Sequence, residues 1–489
     1  MDPISILLLV TIFLFLAYIF NKNNNMYQNF PPGPKPLPFI GNIHMINSSK
    51  PHTSLLEISK KYGPIFSFQF GQNKVVVLCG YEMVKDALIN YGEELSARPD
   101  MAIVQKTSKG YGVLFSHGEN WKVMRKFTLT TLRDFGMGRK TIENKISEEC
   151  EKLMQTFKSY GGKPFENQSI MNTAVANIIV SILLDRRFEY DDPTILQLLR
   201  LVNENITIME SLMVKLYNSY PALIGWLPGS HRRLSENFRE MRDFIMATFT
   251  KQGEELDVNN QRSFIDAFLA KQKEEKSESK LYYHDNNLSM LVLDLFSAGM
   301  ETTSTTLRWG LLLMMKYPDI QKKVQNEIEN VIGFAQPQTE HRKQMPYTDA
   351  VIHEIQRFGD IVPGNLPHAT IRDINFMGYF LPKGTCVLPL LHSVLRDESC
   401  FEKPEEFYPE HFLDSEGNFK KNEAFIPFSL GKRSCAGENL AKMELFLFFT
   451  TLLQNFTFQA PPGAKLDLTP AIGFTNAPLP YEICAIPRR

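Results

Sequence analysis

One stretch limits the possible folds of this chain more than any other. It runs Phe425-Ile426-Pro427-Phe428-Ser429-Leu430-Gly431-Lys432-Arg433-Ser434-Cys435-Ala436-Gly437-Glu438 and leads straight into an apolar helix-period run, Leu440 to Leu453. Any fold that accommodates it holds Cys435 just ahead of a helix N-terminus, with Lys432 and Arg433 beside it. Unsatisfied backbone N–H groups and positive charge both favour a thiolate, the form of sulfur that binds iron. Gly431 and Gly437 would let the backbone turn tightly against a flat ligand, Phe428 offers a ring to lie on it, and Arg433 can pair with a carboxylate. Taken alone, a single cysteine at a glycine-rich helix start is more often structural.

The other five cysteines (Cys79, Cys150, Cys386, Cys400, Cys484) form no C-x-x-C pair and no zinc-type cluster, which reads as a reducing compartment. With 489 residues and 43% hydrophobic content, a sizeable core is expected. A net charge of -1 gives no basic excess to suggest nucleic acid as a partner. Neither G-x-G-x-x-G nor G-x-x-x-x-G-K-[ST] occurs, so the chain carries no nucleotide cradle of its own.

Residues 1–20 read as a transmembrane signal anchor, because Pro3 to Phe20 is uncharged and almost unbroken Ile, Leu, Val, Phe and Ala. A cleaved leader is the alternative, but Asp2 replaces the usual basic n-region and Phe20-Asn21-Lys22 is no small-residue cleavage site. Lys22 and Lys35 follow the span, which places the rest of the chain in the cytosol. The sequons at Asn47, Asn167, Asn205, Asn287 and Asn455 should then stay unglycosylated. Residues 21–38 form a hinge, polar to Asn29 and then a proline-rich, semi-rigid tether from Pro31 to Pro38. Residues 39–489 make one catalytic domain.

Within that domain the pattern predicts a mainly α fold with small β-sheets. Ile65 to Phe70 and Lys74 to Cys79 read as a hairpin, and hairpin signals return from Ala369 to Val387. Helices are predicted over Met83–Tyr91, Trp121–Leu132, Gly138–Ser159, Ser169–Leu184, Pro193–Tyr217 and Gly229–Gln252. Further helices are predicted over Ser263–Lys273, Leu288–Met315, Pro318–Ile332 and Pro346–Phe358, and the charged run Lys271 to Lys280 reads as a solvated loop. Asp294, Glu301 and Arg308 would be costly in lipid, so Leu288–Met315 reads as an internal helix. There Gly299 leaves room for a ligand, and the Thr302 hydroxyl competes for backbone hydrogen bonds.

Two spacings now combine. Phe428, Gly431, Arg433, Cys435 and Gly437 fit F-x-x-G-x-R-x-C-x-G at every specified place, and Ala298 to Thr303 fits [AG]-G-x-[DE]-T-[TS]. On these the chain resembles the cytochrome P-450 superfamily, and in its details the vertebrate microsomal family 2 enzymes. The resemblance implies the fold of that superfamily and haem b, iron protoporphyrin IX, with Cys435 as its axial ligand. It also implies Glu301 and Thr302 as an acid–alcohol pair that hands protons to bound oxygen. Trp121, Arg125, Arg98, His368 and Arg433 become contacts of the two propionates, with Phe428, Gly437 and Ala298 against the ring system. Glu354 and Arg357 match a buried E-x-x-R pair. Its third partner comes from Pro404-x-x-Phe407-x-Pro409-x-x-Phe412, where His411 stands in place of the more usual Arg.

By the same resemblance the chain is expected to be a haem-thiolate monooxygenase of the unspecific type, EC 1.14.14.-, in the endoplasmic reticulum membrane. It would take electrons from NADPH-cytochrome P-450 reductase, with cytochrome b5 as a second partner, through a basic face of Lys122, Lys126, Arg133, Arg139, Lys140 and Lys432. A solvated helix surface is the plainer reading of any one of these lysines. The substrate pocket would draw on Ala102, Ile103, Leu114, Asn205, Met209, Phe296, Ala298, Val362, Leu366, Phe474 and Thr475, which suits xenobiotics, fatty acids or steroids. Two other classes compete: a haem-thiolate isomerase acting on peroxides without a reductase, and a haem-based sensor or carrier.

Overall fold

A computed structural model describes residues 10–11, 29–135, 140–254, 257–258, 260–274 and 281–488. All but Val10 and Thr11 of the anchor proposed over residues 1–20, most of the hinge's polar half and Arg139 therefore lie outside the described residues. Among those described, no helix is long and apolar enough to cross a membrane.

The expected mixture is present, mainly helical with small sheets. The helices that matter here are α1 (Pro51–Tyr62), α2 (Ala102–Thr107), α3 (Gly118–Asp134), α4 (Lys140–Ser159), α5 (Gln168–Leu184), α6 (Pro193–Met209) and α7 (Leu212–Ser219). They continue as α8 (Ser230–Glu254), α9 (Phe264–Lys273), α10 (Asp285–Lys316), α11 (Pro318–Val331), α12 (Pro346–Gly359) and α13 (Glu438–Asn455). Strands β1 (Ile65–Phe70) and β2 (Asn73–Leu78) form the expected hairpin, pairing Ile65 with Leu78 and Phe70 with Asn73. In chain order come β3 (Phe165–Glu166), β4 (His368–Ala369), β5 (Ile374–Phe376), β6 (Tyr379–Leu381), β7 (Cys386–Pro389), β8 (Phe456–Gln459) and β9 (Glu482–Pro487). Strand β7 joins β2 in parallel and β4 in antiparallel register, giving the order β1-β2-β7-β4. A smaller sheet runs β3-β9-β8, and β5-β6 is the late hairpin.

Three helical regions differ from the sequence pattern. Pro193–Tyr217 is split, because the Ser211 hydroxyl accepts the Val214 N–H and starts α7 afresh. Met83–Tyr91 becomes a short helix, Tyr81–Lys85, followed by a π turn, Asp86–Asn90. Helix α1 has no counterpart among the predicted elements. It buries only His52, Leu55 and Ile58, too thin an apolar stripe to stand out, and it starts on Pro51 and stops at Gly63 with φ 96.

The largest core forms around α10 and α13, where Phe446, Phe448 and Phe449 are almost fully buried, with α4 and α5 against them. The sequons at Asn167, Asn205 and Asn287 are likewise buried, which would keep sugar off them in the folded protein.

Candidate active site

Helix α10 presents three faces by its own periodicity. Asp294, Ala298 and Thr302 recur at i, i+4 and i+8 on the first. Ala298 is exposed and Thr302 partly so, although the helix is otherwise buried on nearly all sides, so this face borders an interior space. The Thr302 hydroxyl donates to the Ala298 carbonyl at 2.8 Å, and the helix continues unbroken past it. The second face carries Glu301, Thr305 and Arg308 toward the 475–481 segment. There the Glu301 carboxyl accepts Thr475 Oγ1 at 2.8 Å and Thr305 Oγ1 at 3.3 Å. Burial pushes the Glu301 carboxyl above the usual range, opposed by the Thr475 hydroxyl, Arg308 and Thr305. On the third face Gly299 meets α5, since a Cβ there would sit 2.7 Å from Ile179 Cδ1. The room that Gly299 provides is used for helix–helix packing rather than for a ligand.

Cys435 heads α13. Its N–H donates to the Phe428 carbonyl at 2.9 Å, and Ser429 at φ 61 and Gly431 at φ 72 make the turn between them. A side chain at Gly431 would collide with the Leu88 carbonyl, so this glycine serves the loop's seat on its neighbour. Protein encloses the sulfur, yet it keeps accessible surface, so that surface faces inward. The expectation of a thiolate favoured by its surroundings needs correcting. Burial raises the Cys435 thiol, and the N–H groups of Gly437 and Glu438, together with Arg125, offset this only in part. Among the described residues no charged group stabilises the anion fully; a metal cation would.

Beside the sulfur stands a cluster of buried cations. Arg433 is 8% exposed and donates to the carbonyls of Ser96 (2.8 Å), Ser116 (2.6 Å) and Val113 (3.4 Å), with its guanidinium 3.8 Å from the Trp121 ring centre. Arg98 donates to the carbonyls of Leu114, Leu366 and Pro367. Arg125 reaches the Ser434 carbonyl at 2.8 Å, and His368 Nδ1 the Leu95 carbonyl at 2.7 Å. Among the described residues no carboxylate pairs with any of them. Burial and mutual repulsion drive Arg98 down to about 9, Arg433 to about 8 and His368 to about 3. Trp121 Nε1 is buried without a hydrogen-bond partner. Uncompensated guanidinium groups and an orphaned indole N–H fit a buried dianion such as the two propionates of a haem.

Sequence reasoning missed the clamp that sets this cluster. Asp294 Oδ2 accepts the N–H groups of Val113 (2.7 Å) and Leu114 (2.9 Å), while Asn287 accepts that of Gly112 at 3.1 Å. Carbonyls of the same loop, those of Val113, Leu114 and Ser116, are among those that orient Arg98 and Arg433. Its one available signal was an acid four residues before Ala298 on an apolar helix.

Of the expected pocket residues, Ile103, Met209 and Phe474 line a cavity of about 710 Å³, whereas Ala102, Leu114, Phe296, Ala298, Val362 and Leu366 do not. Two have other partners: Thr475 binds Glu301, and Asn205 accepts Asn237 Nδ2 at 2.9 Å, tying α6 to α8. On the surface, Lys432 pairs with Glu93 and Lys122 with Glu119, which offsets part of the basic face, while Lys126, Arg133 and Lys140 stay exposed.

Glu354 and Arg357 form a fully buried, bidentate pair at 2.7 Å. His411 Nδ1 reaches Glu354 at 3.2 Å, and its Nε2 accepts the Lys403 N–H at 3.1 Å. That acceptor role leaves the proton on Nδ1, so the ring is neutral.

Comparison with known proteins agrees with this geometry. A family model described as Cytochrome P450 matches residues 31–485. The chain is similar to Cytochrome P450 2C23 of Rattus norvegicus, 47% identical over 94% of this chain and 93% of that one. It is also similar to Cytochrome P450 2K1 of Oncorhynchus mykiss, 47% identical over 99% and 97%, and to Cytochrome P450 2C5 of Oryctolagus cuniculus, 46% identical over the full length of both.

Proposed function

The chain belongs to the cytochrome P450 family, a family of haem-thiolate monooxygenases, and from that membership we propose a specific activity. The protein takes electrons from NADPH through a separate reductase and hydroxylates or epoxidises lipophilic small molecules. The observation that carries this reading is the cation cluster left without counter-charge beside an inward-facing cysteine.

Haem b, when bound, supplies the activation of dioxygen. Cys435 would be its iron ligand, Arg98, Arg125 and Arg433 would neutralise its propionates, and the uncharged His368 and Trp121 would help to orient them. Phe428, Gly437 and Ala298 would lie against its ring system. Thr302, at the interior face of α10, holds a hydroxyl where a proton is needed, and Glu301 stores one because its burial favours the acid form. The Thr302 hydroxyl is bonded to Ala298 and the Glu301 carboxyl to Thr305 and Thr475, so neither side chain hands a proton directly to the other.

The reductase, and cytochrome b5 after it, would dock on the exposed lysines and arginines of α3 and the start of α4. Residues 1–20 anchor the chain in the endoplasmic reticulum membrane through the 21–38 hinge. A second apolar contact supports the membrane reading: Leu223, Trp226 and Leu227 are 71%, 83% and 47% exposed between α7 and α8. The Tyr220 hydroxyl holds that region to the Phe39 carbonyl at 2.8 Å, next to the hinge.

The test is oxidation of a panel of lipophilic compounds by purified protein, reductase and NADPH under labelled dioxygen, read by mass spectrometry. One labelled oxygen per product, dependent on NADPH, is expected. Product formed from a lipid hydroperoxide alone, with none from NADPH, would reassign the chain to the isomerase class.

A further inference from the structure

The 710 Å³ cavity is bounded by β1, β2, β7 and the Pro363–Asn365 turn, and Asn365 on its wall donates to the Ser429 hydroxyl of the turn before Cys435 at 3.1 Å. Leu55, Phe70, Val214 and Phe474 make much of its wall apolar. His52, in the first turn of α1, interrupts that surface. It is 8% exposed, and among the described residues neither of its ring nitrogens meets a protein hydrogen-bond partner.

Behind His52 stands a fixed chain of polar groups. Its ring lies edge-on to that of His392, with centres 4.4 Å apart and planes at 63°. His392 Nδ1 reaches Asp360 Oδ2 at 2.6 Å. Asp360 is 2% exposed, its Oδ1 has no partner, and its backbone is held at φ 43 with its carbonyl accepting Asn476 Nδ2 at 2.9 Å. The carboxylate fixes the proton of His392 on Nδ1 and so sets which way that ring faces. Among the described residues, the side chains of these three make no hydrogen bond to the Cys435 loop or to the interior face of α10.

A buried imidazole without partners is costly unless something in the cavity bonds to it. Burial holds His52 down to about 4, helped by His392, Arg396 and Lys50 and opposed by Asp360, so at neutral pH the ring offers one N–H and one lone pair. An anionic ligand would meet the Asp360 charge behind the rings. A cationic one would meet Arg396 and Lys50. A hydroxyl both gives and takes a hydrogen bond and suits the ring best.

We propose that His52, backed by His392 and Asp360, is a recognition subsite for lipophilic alcohols, holding the hydroxyl in the side cavity while the apolar remainder points toward the reaction chamber. Its place in catalysis rests on the monooxygenase reading, but binding does not.

The experiment titrates the haem-loaded full chain with 6-phenylhexan-1-ol and with hexylbenzene by calorimetry. In the wild type the alcohol should bind about ten-fold tighter relative to the hydrocarbon than in His52→Phe, the size expected of one hydrogen bond. His52→Gln, which keeps a donor and an acceptor, should restore much of the preference, and His392→Phe should lose part of it by freeing the His52 ring. An alcohol-to-hydrocarbon ratio that is the same in wild type and His52→Phe, including an equal fall for both ligands, overturns the proposal. Absence of NADPH-driven oxidation of hexylbenzene by the wild type would instead count against the monooxygenase reading and leave the binding comparison intact.

Discussion

Two buried arginine clusters lie in one molecule and are built on opposite plans. Around Arg357 every guanidinium donor is used: Glu354 takes Nε and Nη2, and the carbonyls of Leu395, Pro404 and Glu406 take the rest. Glu354 in turn accepts the Tyr408 N–H and His411. Charge and hydrogen bonds both close. Around Arg98, Arg125 and Arg433 the carbonyls satisfy part of each guanidinium, but no negative charge answers the positive ones among the described residues. A closed cluster needs nothing more and serves the fold. An open one is stable only when something outside the chain completes it, and so marks a binding site.

Breaking the closed cluster should give the largest effect. Glu354→Ala strands a fully buried guanidinium, a change that costs about 3–5 kcal/mol, a large share of a domain's stability. Soluble yield and the denaturant midpoint should fall together; a variant of wild-type stability would mean that the pair is not structural. The open cluster should respond with the opposite sign. Without haem, Arg98→Leu removes one of several repelling buried charges and should leave the apoprotein as stable as before or more so. With haem, the same change should speed transfer of the porphyrin to an acceptor protein by about ten-fold or more. Equal destabilisation of both forms would erase the distinction between the clusters.

A smaller effect is expected within the completed site. Thr302→Ala removes the hydroxyl on the interior face and should lower product formed per NADPH by about ten-fold, less than the roughly hundred-fold or more that loss of a direct acid–base group brings, while Thr302→Ser keeps it. Substrate binding should be little changed, since the Thr302 hydroxyl is spent on Ala298. If both variants couple normally, proton delivery does not pass through position 302.

How much of the fold and the site is legible in the sequence depends on the range of the contacts. The closed pair is three residues apart on one helix and the cysteine turn lies within ten residues, so each falls inside a short motif whose family resemblance gives the residues their roles. The partners that complete the picture are distant. Val113 is joined to Asp294, Thr475 to Glu301 and His392 to Asp360 only after folding, and no local pattern announces such pairs. Gly299 shows a related limit: its small size is evident in the chain, but which neighbour uses the space is decided by Ile179 on another helix. The break at Ser211 is hidden because the apolar period runs straight across a single capping hydroxyl. The acidity of Cys435 is misjudged from sequence for the same reason, since flanking bases are local while the protein wall that excludes water is not.

Asp294 provides the finest test of the contrast, because it is a half-buried carboxyl that accepts hydrogen bonds only from backbone N–H groups. Burial raises its carboxyl from 3.8 to about 7, against the pull of Leu114 and Val113. The folded state therefore holds this proton more tightly than the unfolded chain does. Stability tied to it is fully present below the unfolded value and is lost as pH rises through about 7. The loss should be on the order of 1 kcal/mol, because water reaching a half-buried side chain screens the effect. Asp294→Asn can still accept both N–H groups but cannot ionise, so its stability curve should run flatter across that window. Asp294→Ala releases the 112–116 loop, and with it the carbonyls that orient Arg98 and Arg433, so haem retention should suffer at every pH. If the Asn variant instead shows the wild-type slope, the titrating group lies elsewhere, and the open cluster is held by its own carbonyl contacts without help from α10.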